Sequence, residues 1–152
     1  MDIKKTNMVG PSVLPITDAI IFIVEDNEVY AKSLQTFIRR RFPNIKEIKT
    51  FRIGELCLME LNLKPRIVIV DYYLNSKYEN ANNGLDIIKS IKEQLPKTNI
   101  IVLSAQKKFN VIAEAIKEYD CSYVQKDEDA FNNVEKFIKT IFKRKNPPTF
   151  VP

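Results

Sequence analysis

Five polar or charged residues of this 152-residue chain directly follow or end apolar runs, and their types could together carry phosphoryl chemistry. In chain order they are Glu25, Asp26, Asp71, Ser104 and Lys126. Three carboxylates that lie close together repel one another, and Mg²⁺, which binds carboxylate, water and phosphate oxygens, relieves that repulsion. An aspartate can accept a phosphoryl group as an acyl phosphate. A cation, a lysine and a hydroxyl can then stabilise the charge on the phosphoryl oxygens.

The segments before these residues have strand character. Apolar runs predict five strands, at residues 19–24, 45–51, 67–70, 99–103 and 121–124. Stretches with apolar residues at helical spacing separate the strands, and another follows the last strand, so we expect five helices. This alternation indicates an α/β fold with a doubly wound, five-stranded parallel sheet. Ligands of such sheets bind at the carboxyl ends of the strands, where the five residues are expected to converge.

The first and last helices show the clearest periodicity. In the first, the apolar residues at helical spacing are Val29, Leu34, Phe37, Ile38 and Phe42. In the last, they are Phe131, Val134, Phe137, Ile138, Ile141 and Phe142. We expect each set to face the core.

Each candidate residue also has a purely structural interpretation. Asp26 or Asn27 could cap the following helix, Ser104 could also be a cap, and Lys126 could be a solvated surface lysine. Asp71 is harder to explain in this way, because a carboxylate at the end of a buried strand is costly unless it is paired. Cys57 is interpreted as a small core residue.

Composition narrows the classes of function. The chain has 24 basic and 19 acidic residues and no histidine, which excludes His-based zinc sites and Ser-His or Cys-His catalysis. Basic clusters at residues 39–41 and 143–145 end predicted helices, where cations complement the helix dipole, so nucleic-acid binding is not favoured. No apolar run could cross a membrane. We expect a cytoplasmic protein with an extension at 1–18, one domain at 19–143 and a tail at 144–152.

The strand-end residues resemble the pattern of the response-regulator receiver domain, the CheY-like phosphoacceptor module of two-component systems. The resemblance covers about residues 19–143. An acidic pair closes the first strand, a single aspartate the third, and a serine followed by a small residue the fourth. Lys126 stands at the lysine position of the family, and Tyr123 at its rotating aromatic position.

The resemblance implies a flavodoxin-like strand order, 2-1-3-4-5, and a role for each residue. Asp71 would accept phosphate from a sensor histidine kinase or a histidine phosphotransfer protein. Asp26, Asp71 and the backbone carbonyl of Tyr73 would bind Mg²⁺, with Glu25 acting mainly through a water. Ser104 and Lys126 would contact the phosphoryl group, and the side chains of Ser104 and Tyr123 would shift to report it.

The sequence departs from the family pattern at three places. Asp127 stands where a proline usually follows the lysine, and Leu74-Asn75 replaces the usual Met-Pro pair. An Asn-rich insert at residues 75–83 lengthens the segment between Asp71 and Gly84, and its composition predicts a polar loop at the rim of the site. None of these departures removes a residue that carries chemistry.

The function expected from the resemblance is that of a stand-alone receiver, which signals through phosphorylation-dependent contacts with a downstream protein that the sequence does not identify. It would catalyse only its own phosphorylation and dephosphorylation, and a homodimer is left open. The alternative is an aspartyl-nucleophile phosphohydrolase, but the dehalogenase-like enzymes carry Asp-x-Asp after their first strand, and Asp71-Tyr72-Tyr73 does not match. A nucleotide or flavin binder ranks last, because three glycines supply no phosphate loop.

Overall fold

The computed structural model describes residues 16–72, 84–105, 113 and 117–144. Its strands form one parallel sheet in the order β2-β1-β3-β4-β5. The strands are β1 (Ile20–Val24), β2 (Glu47–Phe51), β3 (Ile67–Asp71), β4 (Asn99–Ser104) and β5 (Ser122–Gln125). The predicted α/β class and strand order are therefore confirmed.

Five helices accompany the sheet. They are α1 (Glu28–Arg41), α2 (Gly54–Leu58), α3 (Gly84–Gln94), α4 (described at residues 113 and 117–119) and α5 (Ala130–Lys143). Short 3-10 turns cover Ile16–Asp18 and Leu61–Leu63. The predicted insert at 75–83 and the predicted cation ligand Tyr73 lie outside the described residues. Within the described part of the chain, no helix combines the length and apolar character that a membrane crossing requires.

Both faces of the sheet are covered, which explains the uninterrupted apolar runs of its central strands. Every residue of β1 and β3 is buried. Alternate side chains point to opposite faces: Ile21, Ile23 and Ile69 pack with α1 and α5, whereas Phe22 and Val70 pack with α2 and α3. Burying one such large side chain contributes about 1.5–3 kcal/mol, so the central strands are firmly held and fix the position of the residues that follow them.

Helix α1 shows where the sequence pattern was right and where it was wrong. Leu34 and Ile38 are buried as expected, but Val29 is 77% exposed. At 3.6 residues per turn, five positions rotate a side chain by about 140° around the helix axis, so Val29 and Leu34 lie on different sides of the helix. Asn27, not Asp26, caps α1: its Oδ1 accepts a hydrogen bond from the Tyr30 backbone N–H at 3.0 Å.

The two cysteines are core residues. Cys57 is fully buried, which confirms its interpretation as a small packing residue. Burial raises the pKa of its thiol to about 12 and that of the Cys121 thiol to about 11. Both thiols therefore remain protonated at neutral pH, and the nucleophilic thiolate form is scarce.

Candidate functional site

Three carboxylates meet at the carboxyl edge of the sheet. Glu25 follows β1 directly, Asp26 comes next, and Asp71 ends β3. One oxygen from each carboxylate lies within 4.8 Å of the others. Glu25 and Asp71 are buried and Asp26 is half-buried. Because β1 and β3 are paired neighbours with Val24 opposite Val70, the residues that follow these positions must be close.

Lys126 belongs to the same group. It follows β5, and its Nζ lies 2.5 Å from Glu25 Oε1 and 3.1 Å from Asp71 Oδ2. Its backbone N–H donates to the carbonyl of Ser104 at 2.8 Å, which extends the pairing of β4 with β5. The side chain is only 16% exposed. The solvated-lysine interpretation is therefore wrong, and the ammonium is a counter-charge to two buried carboxylates.

The electrostatics of the group follow from burial and mutual repulsion. Burial and the neighbouring Asp71 carboxylate raise the pKa of Glu25 to about 7, although Lys126 and a hydrogen bond from the Asn27 backbone N–H oppose the rise. Burial lowers the pKa of Lys126, but the hydrogen bond to Glu25 and the charge of Asp71 outweigh this, so its pKa is raised. Strongly perturbed titratable groups at a sheet edge are typical of functional sites.

The donor set suits a small divalent cation. The three carboxylates supply hard oxygen ligands, of the kind that Mg²⁺ prefers. Lys126 supplies a single positive charge to the group. One further positive charge, or more, would relieve the repulsion that raises the pKa of Glu25. The chemistry of the donors and their spacing therefore fit Mg²⁺.

Ser104 and Tyr123 lie on β4 and β5, the two strands that follow β3 across the sheet. Tyr123 packs against the cluster that includes Val102, and Ser104, two residues after Val102, alternates to the same face. Ser104 is fully buried and is the last residue of β4, opposite Gln125. The structure thus places the two predicted switch residues on adjacent strands and on one face.

Two further residues complete the edge, and sequence reasoning missed both. The Tyr30 ring, in the first turn of α1, faces the Lys126 ammonium with Nζ 4.5 Å from the ring centroid. Gly84, the first residue of α3, lies so close to the Asp71–Tyr72 backbone that a Cβ there would overlap it.

The raised pKa of Glu25 has a consequence for stability. The folded pKa of about 7 exceeds the unfolded value of 4.5, so this group's stabilising contribution is complete below pH 4.5 and is lost as the pH rises through 7. At pH 8 without divalent cations, we expect Glu25→Gln to raise the free energy of unfolding by about 1–3 kcal/mol. Near pH 4.5 the two proteins should be alike, because both side chains are then largely neutral.

Urea denaturation in EDTA at several pH values would measure this difference. A matched control is Glu28→Gln, a highly exposed carboxylate on α1, whose effect should stay within about 0.5 kcal/mol at every pH. A wild-type protein that is more stable than Glu25→Gln at pH 8 would contradict the conclusion that burial and the charge of Asp71 disfavour the Glu25 carboxylate.

Comparison with known proteins agrees with this geometry. The family model described as "Response regulator receiver domain" matches residues 21–138, and the chain belongs to this family. It is thus the receiver domain of a two-component response regulator. The transcriptional regulatory protein LnrK of Bacillus subtilis (strain 168) is 27% identical over 122 residues, which cover 80% of this chain and 52% of LnrK. The chain therefore spans about half the length of this curated relative.

Solved structures show the same fold at low sequence identity. The BeF3-activated DrrB receiver domain superposes with a TM-score of 0.67 and 22% identity, covering 83% of this chain and 98% of that one. The Mn(2+)-bound form of response regulator Rcp1 gives a TM-score of 0.65 and 18% identity, covering 86% of this chain and 99% of that one.

Proposed function

We propose that Asp71 accepts a phosphoryl group from a phosphohistidine of a partner, which is a sensor histidine kinase or a histidine phosphotransfer protein. The observation that carries the proposal is the position of Asp71: a buried carboxylate at the end of the central strand, grouped with two other carboxylates and 3.1 Å from Lys126 Nζ. A structural ion pair would not need two additional carboxylates, since they only raise the cost of burial.

The proposed step is a transfer between two nucleophiles. A carboxylate oxygen of Asp71 forms a bond to phosphorus while the bond between phosphorus and the donor imidazole nitrogen breaks. The imidazole leaves and takes up a proton from solvent. Lys126 then pairs with an oxygen of the aspartyl phosphate. Its positive charge therefore stabilises the product, as it stabilised the free carboxylate.

We assign the cation site to Glu25, Asp26 and Asp71, together with the Tyr73 backbone carbonyl that the family resemblance implies. The similarity of this fold to the Mn(2+)-bound form of response regulator Rcp1 supports this assignment. When bound, Mg²⁺ would neutralise charge on the phosphoryl oxygens. Asp26 is the half-buried member of the group, so it is the carboxylate that an entering cation and its waters would meet first.

The signal is proposed to leave the site through β4 and β5. Ser104, which ends the strand beside β3, would contact the new phosphoryl group, and Tyr123 on the adjacent β5 would follow its movement. A packed interior tends to change between discrete arrangements rather than deform continuously. The downstream partner would be a protein that recognises the rearranged surface.

Three expectations about the whole protein rest on the sequence alone and stay predictions. These are that the receiver acts without an attached output domain, that the domain boundaries lie at 18/19 and 143/144, and that the protein is cytoplasmic. This chain matches about half of a transcriptional regulatory protein. The alternative to a receiver without an output domain is therefore a receiver attached to a domain that regulates transcription. It is also a prediction that the protein catalyses only its own phosphorylation and dephosphorylation.

The test is incubation with acetyl phosphate and Mg²⁺, followed by intact mass and by measurement of released phosphate. We expect one stable phosphoryl group per chain with Mg²⁺ and at least tenfold less in EDTA, because three carboxylates and one lysine leave the site net negative toward an anionic donor. Release of many phosphates per chain without bound phosphate would instead indicate the phosphohydrolase.

A further inference from the structure

We propose that Tyr30 is a positioning residue for Lys126: its ring holds the ammonium at the point where it meets the phosphoryl group on Asp71. The inference rests on the proposed phosphoacceptor function. Lys126 Nζ is 4.5 Å from the centroid of the Tyr30 ring. An ammonium within about 6 Å of an aromatic face is attracted by the electrons of the ring, so this contact restrains the same atom that bonds Asp71.

The ring supplies an attraction that differs in kind from that of the carboxylates. Glu25 and Asp71 hold the ammonium with oxygen atoms that are also the candidate cation ligands. The same oxygen atoms would therefore have to bind both the Lys126 ammonium and the divalent cation. The attraction of an aromatic face uses none of those oxygens, so it persists whatever else the carboxylates bind.

The ring itself is held by local structure. The backbone N–H of Tyr30 donates to the Asn27 cap, and Phe131 packs edge-on against the ring at a centroid distance of 5.5 Å and an angle of 76°. The buried Tyr30 hydroxyl, in contrast, has no hydrogen-bond partner within the described part of the chain. The hydroxyl therefore does not anchor the side chain, and the aromatic face is the feature that the site uses.

The deciding experiment compares phosphorylation rates with acetyl phosphate and Mg²⁺ in Tyr30→Phe and Tyr30→Leu. We expect Tyr30→Phe to keep the wild-type rate within about twofold, and Tyr30→Leu to lose about three- to tenfold, which lies between the effects of an exposed and a fully desolvated cation–π contact. Fluorinated phenylalanines at position 30 should lower the rate stepwise with each fluorine. Fluorine withdraws electrons from the ring face and barely changes its size, so packing alone would give no such series.

The matched control is Phe37→Leu. Phe37 lies on the same helix and has its own cation–π contact, with Arg41 at 4.8 Å, but it contacts Phe131 rather than Lys126. Phe37→Leu should lower the free energy of unfolding and keep the phosphorylation rate within about twofold of the wild-type rate. Equal rates in wild type and Tyr30→Leu, or a fluorine series without a trend, would overturn the inference. A wild-type protein that takes up no phosphate would instead refute the phosphoacceptor function itself.

Discussion

Replacing Asp71 by asparagine should abolish phosphate incorporation, and this is the largest effect that the structure predicts. Asparagine keeps the shape of the side chain but removes the nucleophilic carboxylate oxygen. Glu25 and Asp26 remain in place, so the variant still presents two carboxylates and Lys126 to an incoming donor. Intact mass after incubation with acetyl phosphate and Mg²⁺ should show one added phosphoryl group in the wild type and none in Asp71→Asn.

The control for this experiment is Asp127→Asn. Asp127 follows Lys126, is exposed, and accepts a hydrogen bond from the Asp129 backbone N–H rather than joining the acidic group. Its variant should label as fully as the wild type, which shows that loss of a nearby negative charge is not sufficient. Full labelling of Asp71→Asn would move the acceptor to another residue and remove the central assignment of the proposed function.

The fold could be predicted from the sequence because its central strands are buried on both faces. The run at 67–70 became Ile67–Asp71 and the run at 19–24 became Ile20–Val24, each within one residue. Burial on both faces favours apolar residues at successive positions, so the apolar run and the strand nearly coincide, with Asp71 as the polar end of β3. Helix faces were less certain, because a single apolar residue such as Val29 can stand near the start of a helix without facing the core.

The site was predictable only as far as strand ends determine it. Parallel strands bring their carboxyl ends to one edge, and β1 and β3 are adjacent, so the strand order makes Glu25 and Asp71 neighbours and places Lys126 at the same edge. The ion pairs of Lys126 with Glu25 and Asp71 depend on the length and burial of the lysine side chain. The order of the strands does not determine either of these. The contact between Tyr30 and Lys126 joins a helix turn to a loop almost a hundred residues later, and no local pattern encodes it.

Gly84 shows a constraint that is visible only in three dimensions. Its backbone N–H donates to the Tyr72 carbonyl at 3.0 Å, which ties the start of α3 to the residue after the proposed acceptor. A Cβ at this position would lie 2.5 Å from Tyr72 Cα, 2.6 Å from Tyr72 O and 2.8 Å from Asp71 O. All three are backbone atoms, so no side chain can rotate away to make room.

We therefore expect Gly84→Ala to lower the free energy of unfolding by about 2–3 kcal/mol, as overpacking against a rigid neighbour does. The overlap can be relieved only by moving α3 or the Asp71–Tyr72 backbone, and moving the latter displaces the acceptor from Lys126. A misplacement of about 1 Å can cost on the order of a hundredfold in rate. The phosphorylation rate per folded molecule should consequently fall at least tenfold, measured with acetyl phosphate below the unfolding transition.

Gly54→Ala separates the two effects. A Cβ at Gly54 would also overlap a neighbour, but that neighbour is the Ile87 side chain between α2 and α3, not the Asp71–Tyr72 backbone. This variant should lose stability while its folded molecules phosphorylate at the wild-type rate. If Gly84→Ala behaved in the same way, the backbone of Asp71 would tolerate displacement, and the close approach of α3 would serve packing rather than the position of the acceptor.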